Sequence, residues 1–300
     1  MMTNRRDFMQ YTGAVITAAS IPMSALAEQV LTLPRRAIPG TDESLAIVGL
    51  GNSNAFRQGD VELSRELIGL FLEYGGSYVD TSGSSRDTIG TIMREQDAHE
   101  QLFLGTYIEG EDLQSMRDEI ARVLEVQGGD SLDLVLSRAP IDFGERRNQF
   151  QRLRDDGLTR YTGVARSNKR FYSSIMELMN DDALDFIQVN YSIMEPGAAD
   201  EILPLAQEKN IAVIINRPFI NGDFFGLVRG QALPEWAADF DCDSWAQFSL
   251  KYILSNPAVT CVLTETSNPR HAVDNFGAGF GRLPDADERK RMEAVIRELL

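Results

Sequence analysis

Eight short apolar runs alternate with amphipathic stretches along most of this chain, and that rhythm restricts it to a parallel α/β architecture. The runs cover Leu45 to Leu50, Tyr78 to Asp80, Leu102 to Tyr107, Leu132 to Ser137, Tyr161 to Ala165, Asp185 to Asn190, Ile211 to Asn216 and Val259 to Thr264. Helical patterns between them include Val61 to Tyr74, Glu111 to Gln127, Asn168 to Asn180, Asp200 to Lys209 and Asp243 to Ser255. Eight such alternations over about 250 residues predict an α/β fold of the (β/α)8 TIM-barrel type. Val30 to Arg36, followed by the turn residues Pro39-Gly40-Thr41-Asp42, predicts an N-terminal β-hairpin across the barrel floor. Asp285 to Leu300 predicts an extra C-terminal helix, acidic at its start and basic near its end.

The first residues follow a different rule. Arg5-Arg6-Asp7-Phe8 precedes a mildly apolar stretch to Leu26 that ends in Ala25-Leu26-Ala27. This pattern predicts a twin-arginine signal peptide over residues 1–27, leaving one barrel domain over residues 28–300 with a periplasmic or other extracytoplasmic destination. The apolar stretch is shorter than the ~20 residues a membrane span needs and is broken by Gly13 and Pro22, so no membrane association is expected after cleavage.

Charge narrows the partners. The chain carries 29 basic and 45 acidic residues, net −16, which opposes phosphate backbones, so no nucleic acid is expected. A small-molecule ligand or a protein partner remains. Two cysteines, Cys242 and Cys261, and two histidines, His99 and His271, are too few for common metal centres, so no metal is expected. The four lysines are Lys169, Lys209, Lys251 and Lys290, all in the second half of the chain.

In such barrels the chemistry lies at the C-terminal strand ends. Those ends read Gly49-Leu50-Gly51, Val79-Asp80-Thr81-Ser82, Gly163-Val164, Gln188-Val189-Asn190-Tyr191 and Thr266-Ser267-Asn268-Pro269 with Asn275. In their order and spacing they resemble the aldo-keto reductase superfamily. Ile215-Asn216-Arg217-Pro218-Phe219 with Gly222, and Ser244-Trp245-Ala246-Gln247-Phe248, resemble an exported subgroup of it, that with a twin-arginine signal.

The resemblance implies NADPH-dependent carbonyl reduction by an Asp, Tyr, Lys and His at the ends of strands two to four. Of the four, Asp80 matches. The tyrosine position falls in Gly83-Ser84-Ser85-Arg86-Asp87, the lysine position is Tyr107 and the histidine position is Arg138. No shift of register restores the lysine, because none precedes Lys169. The leading expectation is therefore a reductase-like barrel with a degenerate tetrad, its carbonyl chemistry weak or lost, acting as a pseudoenzyme or binding a ligand or partner. The rival is an active NAD(P)-dependent oxidoreductase with a rebuilt site of Asp80, Tyr107 and Arg138, in which the guanidinium lowers the phenol pKa.

For the cofactor, the resemblance implies Ser167, Asn168 and Gln188 at a nicotinamide carboxamide. Asn216 replaces the family's stacking aromatic residue, and Arg217 beside it is placed to meet an anion. Thr266, Ser267, Asn268, Arg270, His271 and Asn275 resemble the adenosine-phosphate grip. Glu265 stands where a carboxylate would repel a 2′-phosphate. The expectation divides evenly between retained and lost NADP binding.

Overall fold

The computed structural model describes residues 31–300 except 139 and 181–183, and for 140–145 the backbone alone. The expected signal peptide, and Val30 of the expected hairpin, lie outside the described residues.

Strands β1 (Arg35–Ala37) and β2 (Ser44–Ala46) form an antiparallel hairpin, and β3 (Val48–Leu50) begins the barrel. Helices α1 (Asn54–Gln58) and α2 (Val61–Glu73) lead to β4 (Tyr78–Thr81), then α3 (Ser85–Glu95), β5 (Phe103–Tyr107), α4 (Leu113–Gln127) and β6 (Leu132–Ser137). There follow α5 (Pro140–Asp155), β7 (Thr159–Ala165), α6 (Tyr172–Asn180), β8 (Phe186–Asn190), α7 (Ile202–Glu208) and β9 (Ala212–Asn216). The chain ends with α8 (Asp223–Leu227), α9 (Trp245–Leu254), β10 (Cys261–Thr264), α10 (Pro269–Gly277) and α11 (Ala286–Leu299). Strands β3 to β10 pair in parallel and close, with β10 against both β3 and β9. The (β/α)8 barrel, the N-terminal hairpin and the C-terminal helix are all present.

The first expected strand is divided. Leu45 pairs with β1 and Val48 with β10, so the chain bends at Ile47 where it passes from antiparallel to parallel pairing. The hairpin also starts later than Val30 to Arg36 suggests. Leu33 is buried, and its N–H donates to the Tyr74 carbonyl at 2.8 Å, which ties the segment just ahead of β1 to the end of α2.

Strand alternation splits the core into two layers. On β9, Ala212 and Ile214 face the barrel interior, while Val213 and Ile215 face the surrounding helices. An aromatic layer of Tyr78, Phe103, Tyr161 and Phe186 fills the interior, with ring centroids 5.5 to 5.9 Å apart. The hairpin's Ile38 and Leu45 lie against this layer. Glu43 on the hairpin accepts a bond from the Tyr161 hydroxyl at 2.6 Å and pairs with Arg160, fixing the floor.

Both cysteines are buried free thiols. Cys261 packs inside the barrel and Cys242 in the outer layer. Trp236 and Trp245 pack on Phe248 of α9, with centroids at 5.9 and 5.1 Å.

Candidate active site

Alternation along β4 turns Tyr78 and Asp80 into the barrel, and its register sets Asp80 opposite Gly105 of β5. That glycine makes room for a neighbour, since a Cβ there would stand 2.0 Å from the Tyr78 hydroxyl oxygen. The Tyr78 hydroxyl donates a long bond, 3.4 Å, to Gln188 Oε1. On its other side Gln188 Nε2 donates to the Tyr107 hydroxyl at 2.9 Å. A buried chain Tyr78–Gln188–Tyr107 thus crosses the barrel beside Asp80. Tyr78 and Gln188 have roles in this chain that the strand-end motifs alone do not reveal. The clue for Tyr78 is its spacing of two from Asp80.

Asp80 is 6% exposed, and its Oδ1 is buried without a hydrogen-bond partner. Burial, reinforced by the Glu265 carboxylate, pushes its pKa up to about 7, while Arg138 and the Gln188 amide oppose the rise. A carboxyl poised there can hold or release a proton near neutrality.

Tyr107 departs from the expected rebuilt acid. Arg138 lies over its ring, with Cζ 4.0 Å from the centroid, and pairs with the Glu109 carboxylate. Burial and the nearby Asp80 raise the Tyr107 pKa well above that of a free phenol, and Arg138 offsets only part of this. The expected lowering by Arg138 is therefore corrected: desolvation outweighs a cation that addresses the ring face and is itself neutralised by Glu109.

The stretch Gly83-Ser84-Ser85-Arg86-Asp87 opens α3 and brings Arg86 to the site's edge. Arg86 binds Glu119 at 2.7 Å and the Tyr107 carbonyl at 3.3 Å. His99 bonds the Gln127 carbonyl at 2.6 Å, behind α3 and α4.

Along the other side of the mouth, three adjoining cavities form one groove. The first, about 310 Å³, is lined by Ser167, Asn168, Lys169, Asn190 and Arg217 among others. Arg217 also borders the second, about 450 Å³, with Arg57, Phe219, Phe225 and Glu265. Phe219, Phe225 and Glu265 then border the third, about 480 Å³, with Thr266, His271 and Asn275. The expected nicotinamide and adenosine ends are thus joined through Arg217 and Glu265.

The remaining candidates divide by what they already bind. Asn216 Nδ2 donates to the Arg166 carbonyl at 3.2 Å, while its Oδ1 is buried without a partner. Arg217 donates to the Ser167 carbonyl at 2.9 Å, and its Nε is likewise buried and unpartnered. Ser267 Oγ accepts from the Ala55 N–H, which secures α1 to the end of the barrel. Asn268 caps α10 by accepting from the Arg270 N–H at 3.0 Å. Arg270 is exposed. Gln188 stands inside the barrel, among the residues of the tyrosine chain, rather than on the groove's lining.

Glu265 does more than the expected repulsion of a 2′-phosphate. Its Cγ would lie 2.5 Å from a Cβ on Gly51, so the glycine lets it lean over the end of β3. From there it acts on both Asp80 and Tyr107. Although much of the residue is exposed, desolvation raises its own pKa, with Arg57 pulling it down.

A strand-end site in a closed parallel barrel, beside a long groove edged with hydroxyl, amide and guanidinium groups, defines an enzyme-like (β/α)8 protein. The model of the Aldo/keto reductase family matches residues 48–297, and the chain belongs to that family. A curated relative, the NADH-specific methylglyoxal reductase of Escherichia coli strain K12, is 24% identical over 221 residues. That match covers 61% of this chain and 66% of the relative, slightly under two thirds of its length. Among solved structures, the holo form of an aldo-keto reductase from Bacillus halodurans superposes with a TM-score of 0.71 at 20% identity, covering 89% of this chain and 96% of that one. An aldo/keto reductase from Klebsiella pneumoniae, in complex with NADP and acetate, gives 0.71 at 19% identity, covering 89% and 95%.

Proposed function

We propose that this protein is an exported nicotinamide-nucleotide-binding member of the aldo/keto reductase family whose ordinary carbonyl-reducing machinery is degenerate. The observation that carries the binding half is the groove running from Ser167 and Asn168 through Arg217 to Thr266, His271 and Asn275. An elongated dinucleotide matches that sequence of groups. Hydroxyl and amide groups suit a neutral carboxamide at one end, and Arg217 carries a spare buried donor midway. Asn216 Oδ1 adds a spare acceptor beside it. When bound, such a nucleotide supplies a hydride. The relatives support this reading, one being NADH-specific by name and another solved with NADP.

The degenerate half rests on side chains. Where the family resemblance implies a tyrosine, the stretch Gly83-Ser84-Ser85-Arg86-Asp87 offers none, and its Arg86 is bound to Glu119. Where it implies lysine and histidine there are a high-pKa Tyr107 and an Arg138 paired with Glu109. A second reading, an active oxidoreductase with a rebuilt site, is favoured by Asp80 rather than Tyr107. Asp80 alone of the expected trio has a pKa of about 7 and an unpartnered oxygen. Export rests on Arg5 and Arg6 ahead of the apolar stretch ending at Ala27.

The deciding experiment denatures freshly purified protein, identifies any released nucleotide by mass and absorbance, and titrates the emptied protein with NADPH and NADH. Release of NADP or NAD, or binding of either, supports the groove assignment. Neither release nor binding overturns it. Turnover of a panel of aldehydes and ketones then separates the readings, because brisk reduction defeats the degenerate one.

A further inference from the structure

A fourth cavity, of about 180 Å³, opens beside Arg138, the residue that covers the Tyr107 ring. Its lining comprises Ile108, Glu109, Ser137, Arg138, Arg146 and Arg166. None of these borders the three cavities of the groove. The residues come from three neighbouring strand ends, β5, β6 and β7, together with α5.

Among the described residues, the charge balance there reverses that of the whole protein. In a chain with 45 acidic residues, Arg65, Arg117, Arg154, Arg160 and Arg282 each have a carboxylate partner. Among the described residues the lining holds three guanidiniums and one carboxylate, Glu109, which pairs with Arg138. Arg146 is anchored by the Gly110 carbonyl at 3.0 Å, a neutral acceptor, and has no carboxylate partner among the described residues. Arg166 lies over the Phe171 ring, Cζ 4.3 Å from the centroid, and its Nε is buried without a partner. Desolvation, with Arg170 and Arg138 nearby, makes its cationic form harder to hold.

Three guanidiniums lining one cavity with a single carboxylate repel one another, and a planar or tetrahedral anion satisfies them with charge-assisted bonds. At about 180 Å³ the cavity is smaller than each of the groove's three, which suits one anionic group rather than a dinucleotide. We propose that this cavity binds the carboxylate or phosphate group of a small anionic ligand through Arg138, Arg146 and Arg166. Because Arg138 also covers the Tyr107 ring, an anion held there sits beside the barrel mouth. The assignment is independent of nucleotide binding and of whether any carbonyl is reduced.

The test is calorimetry on the full chain with 2-oxoglutarate as the carboxylate probe and glycerol 3-phosphate as the phosphate probe. Dimethyl 2-oxoglutarate and glycerol are their neutral counterparts. At least one anion should bind, more weakly as salt rises, while the neutral compounds should not. Whichever probe binds more tightly identifies the anionic group. Arg166→Gln and Arg146→Gln should each weaken binding at least about tenfold, a change of ~1.4 kcal/mol. Arg65→Gln, on the far surface, should leave it unchanged. In the unmutated protein, the Arg166 Nε–H resonance should shift on titration, which needs no variant to fold. Equal binding of neutral and charged probes, no binding of either anion, an unmoved Arg166 resonance, or folded Arg166→Gln and Arg146→Gln variants with unchanged affinity would each overturn the proposal.

Discussion

Arg138 stacks on the face of Tyr107, 4.0 Å from the ring centroid, while the Tyr107 hydroxyl receives its hydrogen bond from Gln188. The two ends of the phenol therefore answer to different neighbours. A cation over the ring holds the side chain in place, by about 1 kcal/mol or less at so exposed an arginine. It does little to make the hydroxyl a better acid, because burial of the phenolate dominates.

Tyr107→Phe should consequently act on stability more than on catalysis. Removing the hydroxyl leaves Gln188 Nε2 buried without its acceptor, a loss of roughly 1–3 kcal/mol in urea unfolding. NADPH-dependent reduction of common aldehydes and ketones should be negligible in both proteins. A wild type that reduces them briskly, with the rate abolished by the substitution, would instead make Tyr107 the proton donor.

The fold was legible because its determinants are local and repeated. The apolar positions of β9 alternate between barrel interior and helical layer, and such alternation is visible without any partner strand. Helix α5 was not legible in the same way, because Pro140–Asp155 is rich in charged and amide residues and shows little apolar periodicity. At the site, strand-end position singled out Asp80, Tyr107 and Arg138. Which atom Arg138 addresses depends on side-chain direction, and Gln188 joins Tyr78 to Tyr107 across the barrel, a relationship that no spacing records. Arg166 stands one residue beyond β7 and was open to the same strand-end reading.

The Tyr78–Gly105 fit can be tested by crowding it. Gly105→Ala would place a methyl 2.0 Å from the Tyr78 hydroxyl oxygen within a buried ring's packing, and overpacking of this kind costs roughly 1–3 kcal/mol. Tyr78→Phe in the same chain should recover part of that loss, since it removes the nearest atom. Full additivity of the two substitutions in denaturant unfolding would show that the residues do not press on one another.

The proposed twin-arginine signal requires a guanidinium pair rather than charge alone. Changing Arg5 and Arg6 to Lys keeps both charges and the apolar stretch, yet should hold the precursor in the cytoplasm. The exported wild type should begin at Glu28. Fractionation showing the double variant exported normally, or a mature terminus far from Glu28, would remove the twin-arginine assignment.

The buried Asp80 carboxyl should make stability fall as pH rises. Its folded pKa of about 7 exceeds the ordinary 3.8, so between these values the folded state binds more protons than the unfolded one. Stability is then greatest below about pH 4 with respect to this group and declines until about pH 7. The full difference corresponds to roughly 4 kcal/mol, at ~1.4 kcal/mol per pH unit. Asp80→Asn should remove that decline, so the variant gains on the wild type between pH 5 and pH 8 in urea unfolding. Parallel pH profiles would show that Asp80 titrates normally.

Glu265 links this carboxyl to the groove, and one substitution should move two observables. Glu265→Gln removes the like charge that helps to raise Asp80, so the Asp80 carboxyl carbon should titrate below about 7 by NMR. Desolvation, the larger cause, persists, and the value should stay above the ordinary carboxylate range. The same change removes a negative charge from the middle of the groove beside Arg57 and Phe225, where a dinucleotide's phosphates would pass. Affinity for NADPH should rise, and should rise more than for NADH, because the extra 2′-phosphate adds charge to be repelled. Equal gains for both nucleotides would place the 2′-phosphate away from Glu265, and an unmoved Asp80 titration would break the link between them.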